Sequence, residues 1–110
     1  MKYPREQVEY DRFLRRLRDH EDRSFPPGCA GEVVAGVELV LFDVDLDMLL
    51  DKYADKRQLS EGAVRVLQEY ADRLSRVLPH LGGDAATYFS EKHELATAVL
   101  RMVRRDAPHG

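Results

Sequence analysis

Cysteine, tryptophan, long apolar runs and excess positive charge are all missing or scarce in this 110-residue chain. The one cysteine, Cys29, can neither form an internal disulfide nor build a thiolate zinc site alone, which excludes disulfide scaffolds and zinc ribbons. No apolar run approaches the roughly 18 residues of a membrane span. The opening Met1-Lys2-Tyr3-Pro4-Arg5 has no apolar segment of signal-peptide type, so the expected location is cytoplasmic, with no membrane contact. Lys and Arg number 17 against 20 Asp and Glu, a net charge of −3. That balance supplies no overall attraction to nucleic acid. The histidines His20, His80, His93 and His109 lie far apart with no i, i+4 pair, so neither a metal site nor a cofactor is expected, and they read as exposed residues on polar faces. Ser60 and Ser90 lack a nucleophile-elbow context.

The composition that remains, 44% apolar and 34% charged, is that of a globular chain. Its length suits one domain, so residues 1–110 are read as a single helical domain. Val8, Tyr10, Phe13, Leu14 and Leu17 fall at helical spacing, and Pro4 suits a first helical turn, predicting a helix from Pro4 to about His20 with Arg12, Arg15, Arg16 and Arg18 outward. Ser24, Pro26-Pro27 and Gly28 break it into a loop, where Cys29 reads as a small, partly buried apolar residue.

Residues 33 to 57 support two readings. Phe42 to Met48 alternates with period two, yet the wider window fits one long helix with Leu39, Phe42, Leu46, Leu49, Leu50 and Tyr53 on one face and Val37, Val40, Leu41, Val44 and Met48 on a second. A helix buried on two sides in the middle of a bundle has this pattern, and the long helix is favoured. Ser60 is a good N-cap for a third helix, with Leu59 and Val64 placed as a hydrophobic staple. Glu61 with Arg65, Glu69 with Arg73, and Asp72 with Arg76 are spaced for i, i+4 ion pairs. Pro79 and Gly82-Gly83 end that helix, and Asp84 can cap a fourth that runs toward Pro108. The expected fold is therefore all-α, an antiparallel bundle of about four helices.

Two motifs suggest chemistry. Leu39-Val40-Leu41-Phe42-Asp43-Val44-Asp45 resembles the first motif of haloacid-dehalogenase-type phosphatases, an apolar strand ending in Asp-x-Asp. The resemblance implies a magnesium-dependent phosphatase in which Asp43 attacks phosphorus and Asp45 acts as acid and base. It requires residues 37 to 45 to be a strand, and Leu46 and Asp47 stand where that family has Gly and Thr. Asp43, Asp45 and Asp47 also match the opening of an EF-hand loop, but Met48 and Ala54 occupy the positions that need Gly and a bidentate Glu.

Charge is the stronger signal. On a helix Asp43, Asp47, Asp51 and Asp55 repeat every four residues and form one acidic ridge. Residues Glu32 to Asp55 hold seven acids against Lys52, a local −6 that leaves the rest of the chain at +3. Three like-charged i, i+4 pairs cost about 1 kcal/mol unless opposite charge lies near. Either the arginines of the first helix or the tail of the fourth balance the ridge internally, or a basic protein partner docks there.

From Leu59-Ser60-Glu61 through Arg73-Leu74-Ser75-Arg76-Val77-Leu78-Pro79 to Tyr88-Phe89 and Val103, the chain resembles the C-terminal half of small uncharacterised bacterial helical proteins. In size, acidity and helical content it is similar to some bacterial toxin-immunity proteins, which block a toxin by charge complementarity. The leading expectation is a non-enzymatic protein-binding module, immunity- or antitoxin-like, using Asp43, Asp47, Asp51 and Asp55. The alternative is the phosphatase of Asp43 and Asp45. A third reading is a homo-oligomer in which the doubly apolar helix packs against its own copy.

Overall fold

The computed structural model describes residues 5–106. Four helices make up the fold: α1 (Arg5–Glu21), α2 (Leu39–Lys56), α3 (Glu61–Val77) and α4 (Gly83–Asp106). Between α1 and α2 lie a 3-10 turn at Pro27–Cys29 and a small antiparallel hairpin, β1 (Val33–Val34) with β2 (Val37–Glu38). The protein is all-α apart from that hairpin. The expected starts at Pro4 and Asp84 and the stop at Pro108 fare differently. Pro4 and Pro108 lie outside the described residues, while Asp84 falls inside the first turn of α4 rather than capping it.

Local chemistry explains the boundaries. Ser60 caps α3 as expected, its Oγ accepting from the Ala63 N–H at 3.1 Å, which satisfies one of the donors a helix start leaves unpaired. The long helix expected over 33–57 begins only at Leu39. Ala35 and Gly36 have φ of 49° and 78°, and two consecutive left-handed residues make the tight turn whose twist suits a hairpin. The β-branched Val33, Val34 and Val37 then pair across it, with Val34 opposite Val37. Glu38 leaves the hairpin and caps α2, its carboxylate accepting from the Leu41 N–H at 2.7 Å. Arg57 ends α2 in a left-handed conformation, its N–H donating to the Tyr53 carbonyl at 2.7 Å, a role glycine fills in many helices.

The short α2–α3 and α3–α4 connections make those helices antiparallel neighbours. Helix α4 packs against α1, α2 and α3, so Leu95, Ala96, Ala98, Val99, Leu100 and Met102 are buried around most of its circumference. Phe13 and Leu17 of α1, Leu46 and Leu50 of α2, and Leu67 and Leu74 of α3 complete the core. Each fully buried leucine contributes about 1.5–3 kcal/mol. The Tyr10 hydroxyl donates to the Ala54 carbonyl, and the Arg57 guanidinium lies 4.7 Å from the Tyr10 ring centroid. Those two contacts pin the start of α1 to the end of α2. Among the described residues no helix is long and apolar enough to cross a membrane.

One expected face of α2 is core and the other is not. Leu39, Phe42, Leu46, Leu50 and Tyr53 are buried, whereas Val40, Leu41, Val44 and Met48 are exposed. Among the described residues no helix covers Leu41, Val44 and Met48, because α3 and α4 both pack on the first side.

Candidate functional site

The acidic repeat of α2 divides into an inner and an outer half. Asp43 is buried and Asp47 half-buried, and both face α4, whereas Asp51 and Asp55 are exposed. The inner acids meet Lys92 in the middle of α4. Its side chain is 0% exposed, and Nζ donates to Asp43 and, at 2.6 Å, to Asp47. The Tyr88 hydroxyl, one turn earlier on α4, lies 3.0 Å from both Asp43 oxygens. Positions i and i+4 on α2 therefore meet i and i+4 on α4, so one cation and one hydroxyl serve two carboxylates.

His20 closes this cluster from α1. It is 2% exposed, its ring centroid lies 4.5 Å from that of Tyr88, and neither ring nitrogen has a hydrogen-bond partner. Desolvation first, then the Lys92 charge, lowers its pKa to about 4, against a partial offset from Asp43. Histidine is thus neutral there at physiological pH, and its expected place on an exposed polar face is corrected. Burial pushes the Asp47 carboxyl up despite the Lys92 hydrogen bond, and burial with the Asp43 charge pushes the Tyr88 phenol well above its ordinary value.

The ridge is partly balanced from within, but by neither group of arginines expected to do so. Arg16 pairs with Glu94 and Arg23 with Glu91, while Arg101 and Arg105 pair with Glu9. Lys92 and Tyr88 escaped the reading by residue type. The available signal was spacing: a lysine at 92 continues the apolar positions Tyr88, Leu95, Ala96 and Val99, as His20 continues Phe13 and Leu17.

The phosphatase geometry is absent. Asp43 and Asp45 lie on a helix, where residues two apart are separated by about 200° of rotation. Asp43 faces Lys92, while Asp45 accepts from the Tyr70 hydroxyl at 3.1 Å on the opposite flank. Both cannot meet one phosphate. Cys29 is buried in the core, and burial raises its thiol pKa, disfavouring the reactive thiolate. Among the described residues no three His, Cys, Asp or Glu side chains converge on a metal position.

Outward, α2 carries Leu41, Val44 and Met48 at 64%, 50% and 65% exposure. Their spacing of three and four residues forms one seam, and Asp51 and Asp55 extend it over the last two turns. Beside the seam an open groove of ≈ 460 Å³ runs between α2 and α3, lined by Val37, Leu41, Tyr70, Arg73 and Arg76 among others. The ion pairs expected within α3 do not close among the described residues. Asp72 accepts from Gln68 at 3.0 Å, Arg73 leans over the Tyr70 ring at 5.9 Å, and neither Arg73 nor Arg76 has a carboxylate partner. On the other flank Asp51 lies beside Glu21 at the end of α1. Desolvation and then the Asp51 contact raise the Glu21 carboxyl.

Compared with protein-family models, curated proteins and solved structures, the chain matches none.

Proposed function

We propose that the chain is a non-enzymatic helical protein-binding module, immunity- or antitoxin-like in its mode of action, whose docking face is the outer side of α2. The observation that carries the reading is the exposed seam of Leu41, Val44 and Met48 running into Asp51 and Asp55. Contiguous exposed apolar surface rimmed by polar groups marks interaction sites on proteins of this size. The partner that fits presents an amphipathic helix with an apolar stripe and a basic end. The stripe supplies burial, and the charge supplies orientation and a faster encounter. Of the four acids first assigned to docking, Asp51 and Asp55 are exposed, the first beside Glu21 and the second 3.6 Å from Lys56, while Asp43 and Asp47 hold Lys92.

The test is titration of a synthetic amphipathic helix of leucine and lysine against the wild type, Met48→Glu, and the Asp51→Lys, Asp55→Lys pair at low and moderate salt. Wild type is expected to bind more weakly as salt rises, with shifted backbone NMR signals confined to α2 and its α3 flank. Both variants are expected to lose affinity. Equal binding by all three, or signal shifts elsewhere on the bundle, would remove the site.

A further inference from the structure

The groove between α2 and α3 lies at the other end of the seam from Asp51 and Asp55, and we infer that it is a carboxylate-binding site in which Arg73 and Arg76 receive an acidic side chain of the partner helix. The inference rests on the reading of the outer side of α2 as the docking face. It gives the partner a second charge, opposite in sign to its basic end and about four turns away from it.

Arg73 and Arg76 line the groove together with Glu38, Leu41, Asp45 and Tyr70. Its two acids are already engaged. Glu38 accepts from the Val40 and Leu41 N–H groups at the start of α2, where the helix dipole offsets its charge, and Asp45 accepts from the Tyr70 hydroxyl at 3.1 Å. The acids four residues before each arginine do not serve them either. Asp72 accepts from Gln68, and Glu69 makes no ion pair with Arg73 among the described residues. Within the groove the donors left without an acceptor are therefore the two guanidinium groups. Arg73 leans over the Tyr70 ring at 5.9 Å, an arrangement that leaves the N–H fork of an arginine available to a planar acceptor.

The lining also selects the kind of anion. Arg73 and Arg76 stand against Glu38 and Asp45, so a single negative charge suits the groove, whereas a dianionic phosphate would meet two fixed carboxylates. Leu41 connects this site to the docking face: it is 64% exposed, begins the seam and forms part of the groove wall. Between Leu41 and Asp55 helix α2 rises about 21 Å. A partner helix of about 15 residues therefore seats its apolar stripe on Val44 and Met48, its basic end over Asp51 and Asp55, and an acid at its other end in the groove. Turned end for end, the same helix would set its bases on Arg73 and Arg76 and its acid on Asp51, which already lies beside Glu21. The two ends of the face thus select one orientation.

A double-mutant cycle tests the site. Two leucine-rich synthetic helices carry lysines in the last turn and differ in the first, which holds glutamates in one and glutamines in the other. Each is titrated against wild type and against the Arg73→Gln, Arg76→Gln variant, whose changes are on the exposed side of α3. Wild type is expected to prefer the glutamate helix by about fivefold to tenfold at low salt, with the Arg73 and Arg76 side-chain N–H signals shifting in NMR spectra. The variant is expected to lose that preference while binding the glutamine helix as wild type does. Differences in helicity between the two peptides cancel in the cycle. Equal affinity of wild type for both helices, or a preference that survives in the variant, would overturn the carboxylate site and leave the docking face standing, provided the glutamine helix still binds through α2. Binding of neither helix would overturn the docking reading and the site with it.

Discussion

Replacing Lys92 with Met tests whether the buried cluster is held together by its single cation. Methionine has nearly the length of the lysine stem and carries no charge, so packing is largely kept while Asp43 and Asp47 lose their ammonium donor. Lys92 is wholly buried and Asp43 is 7% exposed, so water cannot replace the donor at Asp43 without opening the bundle, whereas half-buried Asp47 keeps some access to it. Removing one partner of a buried ion pair costs about 3–5 kcal/mol. That is a large share of the roughly 5–15 kcal/mol by which domains of this size are stable. At about 4–8 °C per kcal/mol, the melting midpoint should fall by roughly 20 °C. Urea unfolding followed by circular dichroism at neutral pH measures the cost directly. Burial already raises the Asp47 carboxyl, so acidification protonates it and removes part of the stranded charge, and the difference from wild type should narrow. Adding Asp43→Asn to Lys92→Met should recover part of the loss, because the amide oxygen still accepts from Tyr88 and one uncompensated charge is gone. A cost below about 1 kcal/mol at neutral pH, unchanged on acidification, would refute the claim that Lys92 neutralises the inner acids.

Two further perturbations test separate parts of the argument. His20 has its folded pKa lowered from 6.5 to about 4, so the stability it contributes is complete above pH 6.5 and is lost as pH falls toward 4, by about 3 kcal/mol. The raised carboxyls of Asp47 and Glu21 act in the opposite sense, regaining stability as pH falls. The difference between wild type and His20→Phe in urea melts across that window isolates the histidine, and parallel pH profiles would contradict its burial as a neutral ring. Ser60→Ala removes the acceptor for the Ala63 N–H and should cost about 1 kcal/mol; an unchanged urea midpoint would show that the cap contributes nothing.

What could be read in advance was what depends on near neighbours in sequence. The Ser60 cap and the periodic faces of α1, α3 and α4 involve residues within one or two turns, and local physics determines them. The start of α2 was obscured because Ala35-Gly36 carries no Asn-Gly or Asp-Gly signature, and alanine rarely adopts positive φ. The second face of α2 shows a different limit. Periodicity identifies Leu41, Val44 and Met48 as apolar neighbours but says nothing about whether another helix of the same chain reaches them. The acidic ridge shows a third. Spacing aligned Asp43 with Asp55, but only the tertiary approach of α4 separates the pair bound to Lys92 from the pair left in water.

The four-residue repeat of acids has a consequence for how α2 seats on α4. Ion pairing alone would tolerate α2 sliding by one turn, about 5.4 Å, since Asp47 and Asp51 could take over the places of Asp43 and Asp47 around Lys92. The apolar side forbids the slip: it would carry Asp43 into the site of Leu39 and Arg57 into that of Tyr53, both sites 1% exposed. Burying those charges without partners costs several kcal/mol each. Alignment of the two helices is thus encoded by the side chains that cannot tolerate a charge, while the lysine that draws them together is itself indifferent to register.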